Sequence, residues 1–268
     1  DLKPLDIVTR TLCKPGDTVL VDEPGWSVEY ARLAALGMRV LPVPRGPDGP
    51  DLATMQRLIE AQPLAARPRL YVTVSVLHNP TGASLSLQSA HKVLQLAQAH
   101  DLAPSHLPRL AALDALDRTL YVSGFSKILT PSWRVGYIAA PARLVDRLID
   151  TKLLSTLTTP SMTELALAHC LEQGLLRRHA ERVQRLLDAA RGRSVELARS
   201  HGCRFAAEPR GLFGWVDTGV DTERLAHHAL KGEEWRRAAQ YLHLAGRRAI
   251  AQARYLSGVG FYEAAIRA

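Results

Sequence analysis

The sequence predicts an α/β protein: a mostly parallel sheet flanked by helices, then an incomplete smaller domain and a C-terminal α-hairpin. Three observations carry this. Short β-branched runs alternate with amphipathic helical patterns in the first half of the chain, which is how βαβ units read. The links between them are short, so successive strands lie side by side and parallel. At 268 residues and 47% hydrophobic the chain can bury a real core, as one large domain or a large plus a small one.

In order, Leu5 to Leu12 reads as an amphipathic helix stopped by Lys14-Pro15-Gly16-Asp17. Thr18 to Asp22 is a buried strand by its β-branched content. Glu23-Pro24-Gly25-Trp26 is a turn ending in an aromatic, and Ser27 is placed to cap the helix through Glu29 to Leu36. Met38 to Val43 is the next strand, and Pro44 to Pro50 a turn-rich loop. Asp51 caps the helix Leu52 to Ala61. Leu70 to Val76 is a continuous apolar strand, with His78-Asn79-Pro80-Thr81-Gly82 leaving its C-terminal end, where open α/β sheets bind ligands. Ser86 caps a helix reaching His100.

After His100-Asp101-Leu102 the alternation calls for a strand. Ala103-Pro104-Ser105-His106-Leu107-Pro108 follows instead, and its prolines argue against a central strand, so one strand near 102–104 is predicted to be missing. Thr119 to Val122 is the next strand. Helices follow over Arg143 to Leu154 and Thr163 to Glu172, then one long helix from Leu175 to about Ser200. Phe205 to Ala207 and Leu212 to Val216 read as strands around Pro209-Arg210-Gly211, and Thr222 to Leu230 starts a helix. From Lys231 on, the small and aromatic spacing (Trp235, Ala238, Tyr241, Ala245, Ala249, Tyr255, Tyr262) resembles one tetratricopeptide-type hairpin, which cannot bury its own face alone. Residues 1–174, 175–230 and 231–268 are therefore predicted as a large domain, an interdomain helix with a partial small domain, and a helical tail.

The net charge is +8 and the isoelectric point about 9.7, but the arginines are scattered along helices with no block of like charge. The pattern does not call for nucleic acid and suits a small anionic ligand. The three cysteines, Cys13, Cys170 and Cys203, are widely spaced, which predicts reduced thiols, no metal site and a cytoplasmic chain. With no apolar run near 18 residues, no membrane partner is expected.

The chemistry concentrates in Tyr121-Val122-Ser123-Gly124-Phe125-Ser126-Lys127 and in Trp133-Arg134-Val135-Gly136-Tyr137. A strand end presents one lysine, and an arginine follows in the same loop. A lone lysine is ordinarily a solvated surface group; small, apolar flanks set this one apart. An amine and a guanidinium so placed suit a cofactor carrying an aldehyde and a phosphate, the amine forming a Schiff base and the planar fork clamping the phosphate.

Ser-x-x-Ser-Lys followed by Arg-x-Gly, downstream of His-Asn-Pro-Thr-Gly, resembles the fold-type I pyridoxal-phosphate aminotransferases of class I/II. The flanks resemble most the aminotransferase-like domain of MocR/GntR-type transcriptional regulators. The resemblance implies pyridoxal 5'-phosphate as cofactor, with Lys127 as the Schiff-base lysine and proton carrier. It implies Arg134 and Ser126 on the phosphate, Asn79 on the ring oxygen and Trp26 stacked on the ring. It further implies amino-group transfer between an amino acid and a 2-oxo acid, and a homodimer.

Three departures weaken the match. The family's acid at the pyridine nitrogen, and the tyrosine soon after it, have no counterpart near 102–108. The N-terminal positions Asp1 to Pro4 lack the small and polar residues that receive the phosphate. The arginine for the substrate carboxylate would fall beyond Leu230, where the resemblance stops; Arg247 and Arg248 stand in the wrong context. Without that acid the ring nitrogen holds its proton poorly, so impaired turnover is predicted. Two other readings stay open: a cofactor-sensing effector domain of a MocR-type regulator without its DNA-binding domain, and a degenerate, non-catalytic fragment.

Overall fold

The computed structural model describes residues 2–105 and 108–217. The predictions for 218–268, including the tetratricopeptide-like tail, lie outside the described residues. The elements in order are α1 (Leu2–Leu12), β1 (Thr18–Glu23), α2 (Ser27–Ala35), β2 (Arg39–Gly46), β3 (Gly49–Pro50), α3 (Leu52–Glu60), β4 (Leu70–Val72), α4 (Leu87–Ala99), β5 (Ala103–Ser105), α5 (Pro108–Asp114), β6 (Tyr121–Gly124), β7 (Gly136–Ala139), α6 (Ala142–Thr156), α7 (Ser161–Glu172), α8 (Leu175–Ser200), β8 (Arg204–Phe205) and β9 (Val216–Asp217).

Five strands form one sheet in the order β3-β2-β1-β4-β5. The β1–β2, β1–β4 and β4–β5 pairs are parallel, and only the short hairpin strand β3 runs antiparallel. Alternation along the strands sorts the core into two layers. Val19, Val21, Leu70 and Val72 pack with Leu5, Val8, Leu33 and Leu148 of α1, α2 and α6. Leu20, Val43 and Tyr71 face the other way, onto Met55, Ile59, Val93 and Leu110 of α3, α4 and α5. A sheet with helices on both faces is what near-continuous apolar strands require.

Several boundaries differ from the sequence reading. The strand predicted to be missing is present as β5, paired Tyr71↔Pro104 against β4. Among the described residues it ends the sheet, and a proline costs an edge strand little because its absent N–H can lie on the side without a neighbour. β4 stops at Val72 rather than Val76, since β1 and β5 partner it only over Leu70 to Val72. The loop expected over Pro44 to Pro50 is the turn of the β2–β3 hairpin. Trp26, not Ser27, holds the N-cap position of α2, through its carbonyl, which accepts from Glu29 N at 2.9 Å. The Asp51 and Ser86 caps form as expected, accepting from Thr54 N at 3.0 Å and Ser89 N at 3.1 Å.

β6 and β7 make a separate antiparallel pair, Tyr121↔Ala139 to Gly124↔Gly136. β6 begins two residues later than expected because the Asp114 carboxylate takes the N–H groups of Arg118 and Thr119, at 2.7 and 2.8 Å, and holds them in a turn. α1 is tied to α6 by Thr11 Oγ1–Thr151 Oγ1 at 2.8 Å and by Arg147 Nη2 donating to Thr11 O at 2.7 Å. α8 is one unbroken helix of 26 residues, as predicted, with none of them buried.

Candidate active site

Two loops at the carboxyl ends of strands carry four of the five predicted residues, all but Trp26. The first follows β4. His78 N donates to Ala83 O at 2.8 Å and Gly82 N to His78 O at 2.6 Å, closing a tight turn over Asn79-Pro80-Thr81 with a cis Asn79–Pro80 bond. Gly82 has φ +73, and a Cβ there would stand 2.5 Å from the Phe213 carbonyl oxygen. The segment after α8 is thus packed onto this turn, which only a glycine permits. Asn79 is half-buried, and its Oδ1 is buried without a hydrogen-bond partner.

The second loop joins β6 to β7. Phe125 N donates to Val135 O at 3.1 Å and Leu129 N to Phe125 O at 2.8 Å, so the loop is closed at its base and Lys127 rides on its first turn. Ser126 Oγ is buried without a partner, while Lys127 is exposed. A short 3-10 turn, Pro131–Trp133, ends at Arg134 in the left-handed region (φ 54, ψ 30). A side chain there is disfavoured by about 1–2 kcal/mol, a strain that the loop imposes at one of the predicted ligand residues. Gly136 opens β7 where a Cβ would meet Ser123 O at 2.8 Å and Pro4 Cγ at 3.3 Å, so the start of α1 lies against the arginine's strand.

Arg134 lines a cavity of about 460 Å³ with Lys3, Ile7, Trp133, Lys152 and Glu164. Its walls bring the arginine together with two lysines; Lys127, Ser126, Asn79 and Trp26 are not among its lining. Lys127 and Arg134 are instead joined through the base of their shared loop, which keeps their Cα atoms within about 20 Å. Trp26 stands half-buried at the entry to α2, directly after the carboxyl end of β1.

A set of residues that sequence reasoning missed lies beneath Asn79. Asp22 extends the Leu20 face of β1 by one two-residue step, Arg45 extends Val43, and Thr73 extends Tyr71. The apolar layer therefore turns polar at the carboxyl end of the sheet. Asp22 Oδ2 accepts from Arg45 Nη1 at 2.7 Å, Thr73 Oγ1 at 2.7 Å and Val74 N at 3.3 Å. Its Oδ1 accepts from Tyr71 Oη. The Arg45 side chain is 0% exposed, and His78 is 1% exposed. The signal available in the sequence was an acid at the end of an otherwise apolar strand, since an isolated buried charge is too costly to leave unpaired.

His78 completes the set. Its Nε2 lies 3.6 Å from Asp22 Oδ2, and its Nδ1 lies 2.9 Å from Thr81 Oγ1. Thr81 Oγ1 also accepts from Ala83 N at 3.2 Å; the Asp22 carboxylate favours the tautomer with the ring proton on Nε2, in which the Thr81 hydroxyl donates to Nδ1. Burial pushes the imidazole down to about 4, helped by the Arg45 guanidinium and opposed by Asp22. The same burial, with the Asp22 charge alongside, raises the Tyr71 phenol well above its ordinary value.

A mostly parallel sheet with helices on both faces, an asparagine turn beyond β4 and a lysine–arginine loop joining the separate β6–β7 pair place the chain among α/β domains of the fold-type I kind. The chain belongs to the family described as aminotransferase class I and II, which it matches over residues 4–243. It is 26% identical over 248 residues to 2-aminoadipate transaminase of Thermus thermophilus, covering 85% of this chain and 61% of that protein. It is 28% identical over 255 residues to the probable rhizopine catabolism regulatory protein MocR of Rhizobium meliloti, covering 88% of this chain and 48% of that protein. Among solved structures, the multiple substrate aminotransferase of Thermococcus profundus superposes with a TM-score of 0.76 at 23% identity, over 85% of this chain and 61% of that one. LysN, the α-aminoadipate aminotransferase of Thermus thermophilus complexed with N-(5'-phosphopyridoxyl)-L-leucine, superposes with a TM-score of 0.74 at 25% identity, over 85% and 62%. The chain thus spans roughly half to three fifths of these relatives. The family implies pyridoxal phosphate as its cofactor.

The residues fit that group at some of its ends. Buried polar atoms without partners cost about 1–3 kcal/mol each, and the orphaned Asn79 Oδ1 and Ser126 Oγ both belong to residues expected to touch it. The two ends of the Asn79 amide exchange by rotation, so its donor can take the buried position. The ring-nitrogen end has no match: the sequence holds no Asp or Glu between Asp101 and Asp114. Asp101 precedes β5 instead of following it, and its side chain is 96% exposed and paired with Arg118 at 2.8 Å.

Proposed function

We propose that this chain is a pyridoxal-phosphate-binding, aminotransferase-like domain that moves an amino group between an amino acid and a 2-oxo acid, with weakened turnover. The observation that carries it is the coincidence of the family match with two orphaned buried polar atoms, at Asn79 and Ser126. Lys127 Nζ would be the amine that holds the cofactor's aldehyde carbon, and, once a substrate amine has displaced it there, the freed nitrogen would receive and return the substrate's α-proton. Arg134 and Ser126 would hold the phosphate, the Asn79 amide would donate to the phenolic oxygen, and Trp26 would cover the ring face. The cofactor itself supplies an electron-withdrawing ring that drains the pair left when an amino acid loses that proton. With no Asp or Glu between Asp101 and Asp114, the family's acid for the ring nitrogen has no counterpart there, and turnover is expected to be low.

The test is an absorption spectrum of the purified chain with added pyridoxal phosphate. A band near the visible edge, bleached by borohydride and lost in Lys127→Ala, is expected. An identical spectrum for the two proteins would end the proposal. Keto-acid formation from an amino acid should be slow, and sustained formation at ordinary enzyme rates, about 10 per second, would overturn the weakened-turnover part. The expected assembly is a homodimer, checked by sedimentation. A second reading is favoured by the resemblance to MocR combined with the missing acid: the domain senses the cofactor as a ligand. It predicts the same Lys127-dependent band with no measurable keto acid.

A further inference from the structure

We propose that the buried Asp22–His78 pair, held by Arg45, Tyr71, Thr73 and Thr81, sets the position of the Asn79 amide, so that Asp22 and His78 act as positioning residues for the cofactor's phenolic oxygen. The inference rests on the reading given under Proposed function.

Asn79 is anchored on both sides in the chain. On one side is the turn closed by Gly82 N, which donates to His78 O at 2.6 Å. On the other is His78, whose ring is buried and held between two elements. Nδ1 is tied within the turn, to Thr81 Oγ1 at 2.9 Å, and Nε2 faces the sheet at Asp22, 3.6 Å away. The turn is therefore keyed to β1 through one imidazole. Asp22 cannot shift to follow it, because Arg45 of β2, Tyr71 in the middle of β4, and Thr73 and Val74 just beyond β4 all donate to its two oxygens. Two strands and the segment after β4 thus fix one carboxylate on β1, the carboxylate faces the ring, and the ring fixes the backbone that carries Asn79.

The charge balance points the same way. Asp22 and Arg45 neutralise one another, so the set is closed when His78 is neutral, and an imidazolium would place a second cation against a fully buried guanidinium. A neutral ring held on both nitrogens' sides is a fixed strut rather than an acid or base. A purely structural network would give stability and leave the amide's role untouched. This one ends at the residue next to the amide, whose buried oxygen is still without a partner.

The test uses the full chain with pyridoxal phosphate as the probe, reading the dissociation constant and the pH midpoint of the cofactor's absorbance band. Asn79→Ala is the reference: losing a hydrogen bond to a charged oxygen should weaken binding about tenfold or more and shift the midpoint. His78→Gln and Asp22→Asn should each move both readouts in the same direction as Asn79→Ala. Adding His78→Gln to Asn79→Ala should change affinity by less than about twofold, since the strut has nothing left to position. Thr81→Val removes the Nδ1 partner, and with it the acceptor of Ala83 N, but leaves Asp22 and its donors in place, and decides the matter if Asp22→Asn does not fold. Unchanged midpoints in His78→Gln and Thr81→Val, or a His78→Gln effect equally large with and without Asn79, would overturn the inference. A wild-type spectrum identical to that of Lys127→Ala would overturn the cofactor reading itself, a separate outcome.

Discussion

His78 gives the clearest consequence for stability. Its imidazole is pushed from the ordinary 6.5 to about 4 by burial and by the Arg45 guanidinium, against the opposing pull of Asp22. A histidine held down in the folded state leaves the unfolded chain binding more protons at every pH below the ordinary value. Stability is therefore full above pH 6.5 and falls as the pH drops toward 4. Linkage between those two values puts the loss at about 2 kcal/mol by pH 5 and about 3 kcal/mol by pH 4. The perturbation is His78→Gln, which keeps a polar side chain and removes the titration. It should cost about 1–3 kcal/mol at pH 7, because Thr81 loses its ring partner in a buried turn. Between pH 7 and pH 5 its stability should then fall by less than the wild type's. Two carboxylates also shift. Asp51, lowered by its Thr54 hydrogen bonds, contributes stability that is lost as the pH falls through its folded value. Glu23, raised by burial, contributes stability that is lost as the pH rises through its own. Both are present in the two proteins and cancel in the difference. Urea unfolding followed by circular dichroism at pH 7, 6 and 5 reads that difference directly. Parallel stability curves for the two proteins would refute the reasoning.

Three further outcomes follow from the same geometry. Asp22→Ala leaves the Arg45 guanidinium buried and uncompensated and should cost about 3–5 kcal/mol; Asp22→Ala with Arg45→Met should recover part of that loss in chemical denaturation. Gly82→Ala meets both a left-handed backbone and the Phe213 carbonyl at 2.5 Å. It should destabilise by more than the roughly 1–2 kcal/mol of the backbone term alone, and limited proteolysis should open the 209–213 segment first. Cys13, buried and with its thiol pushed up to about 12 chiefly by burial and secondarily by Asp17, should resist iodoacetamide at pH 8 in the folded protein. The half-buried Cys170 and Cys203 should be alkylated before it, as mass spectrometry of the peptides would show.

The candidate site was legible where its chemistry sits in contiguous motifs. Lys127 and Arg134 fall on one loop because β6 and β7 pair directly, and Asn79 leaves the carboxyl end of β4. The network behind Asn79 was not legible in the same way. Asp22, Arg45, Tyr71, Thr73 and His78 come from three strands and a turn, and each alone looks like an ordinary polar residue near a strand end. The cavity beside Arg134 was equally hidden, since it is made by α1, β7, α6 and the segment into α7.

Local order settled much by itself. β-branched runs, helix caps at Asp51 and Ser86, and the unbroken Leu175 to Ser200 pattern each specify structure through short-range sterics and hydrogen bonds. Tertiary structure decided what depends on neighbours. Pro104 could join the sheet because its strand lies at an edge, β4 ended where its partners ended, and a charged aspartate could be buried because an arginine 23 residues away came to meet it. Propensity acts within a few residues, whereas the cost of an unpaired strand or an unpaired charge is fixed only once the chain has brought distant segments together.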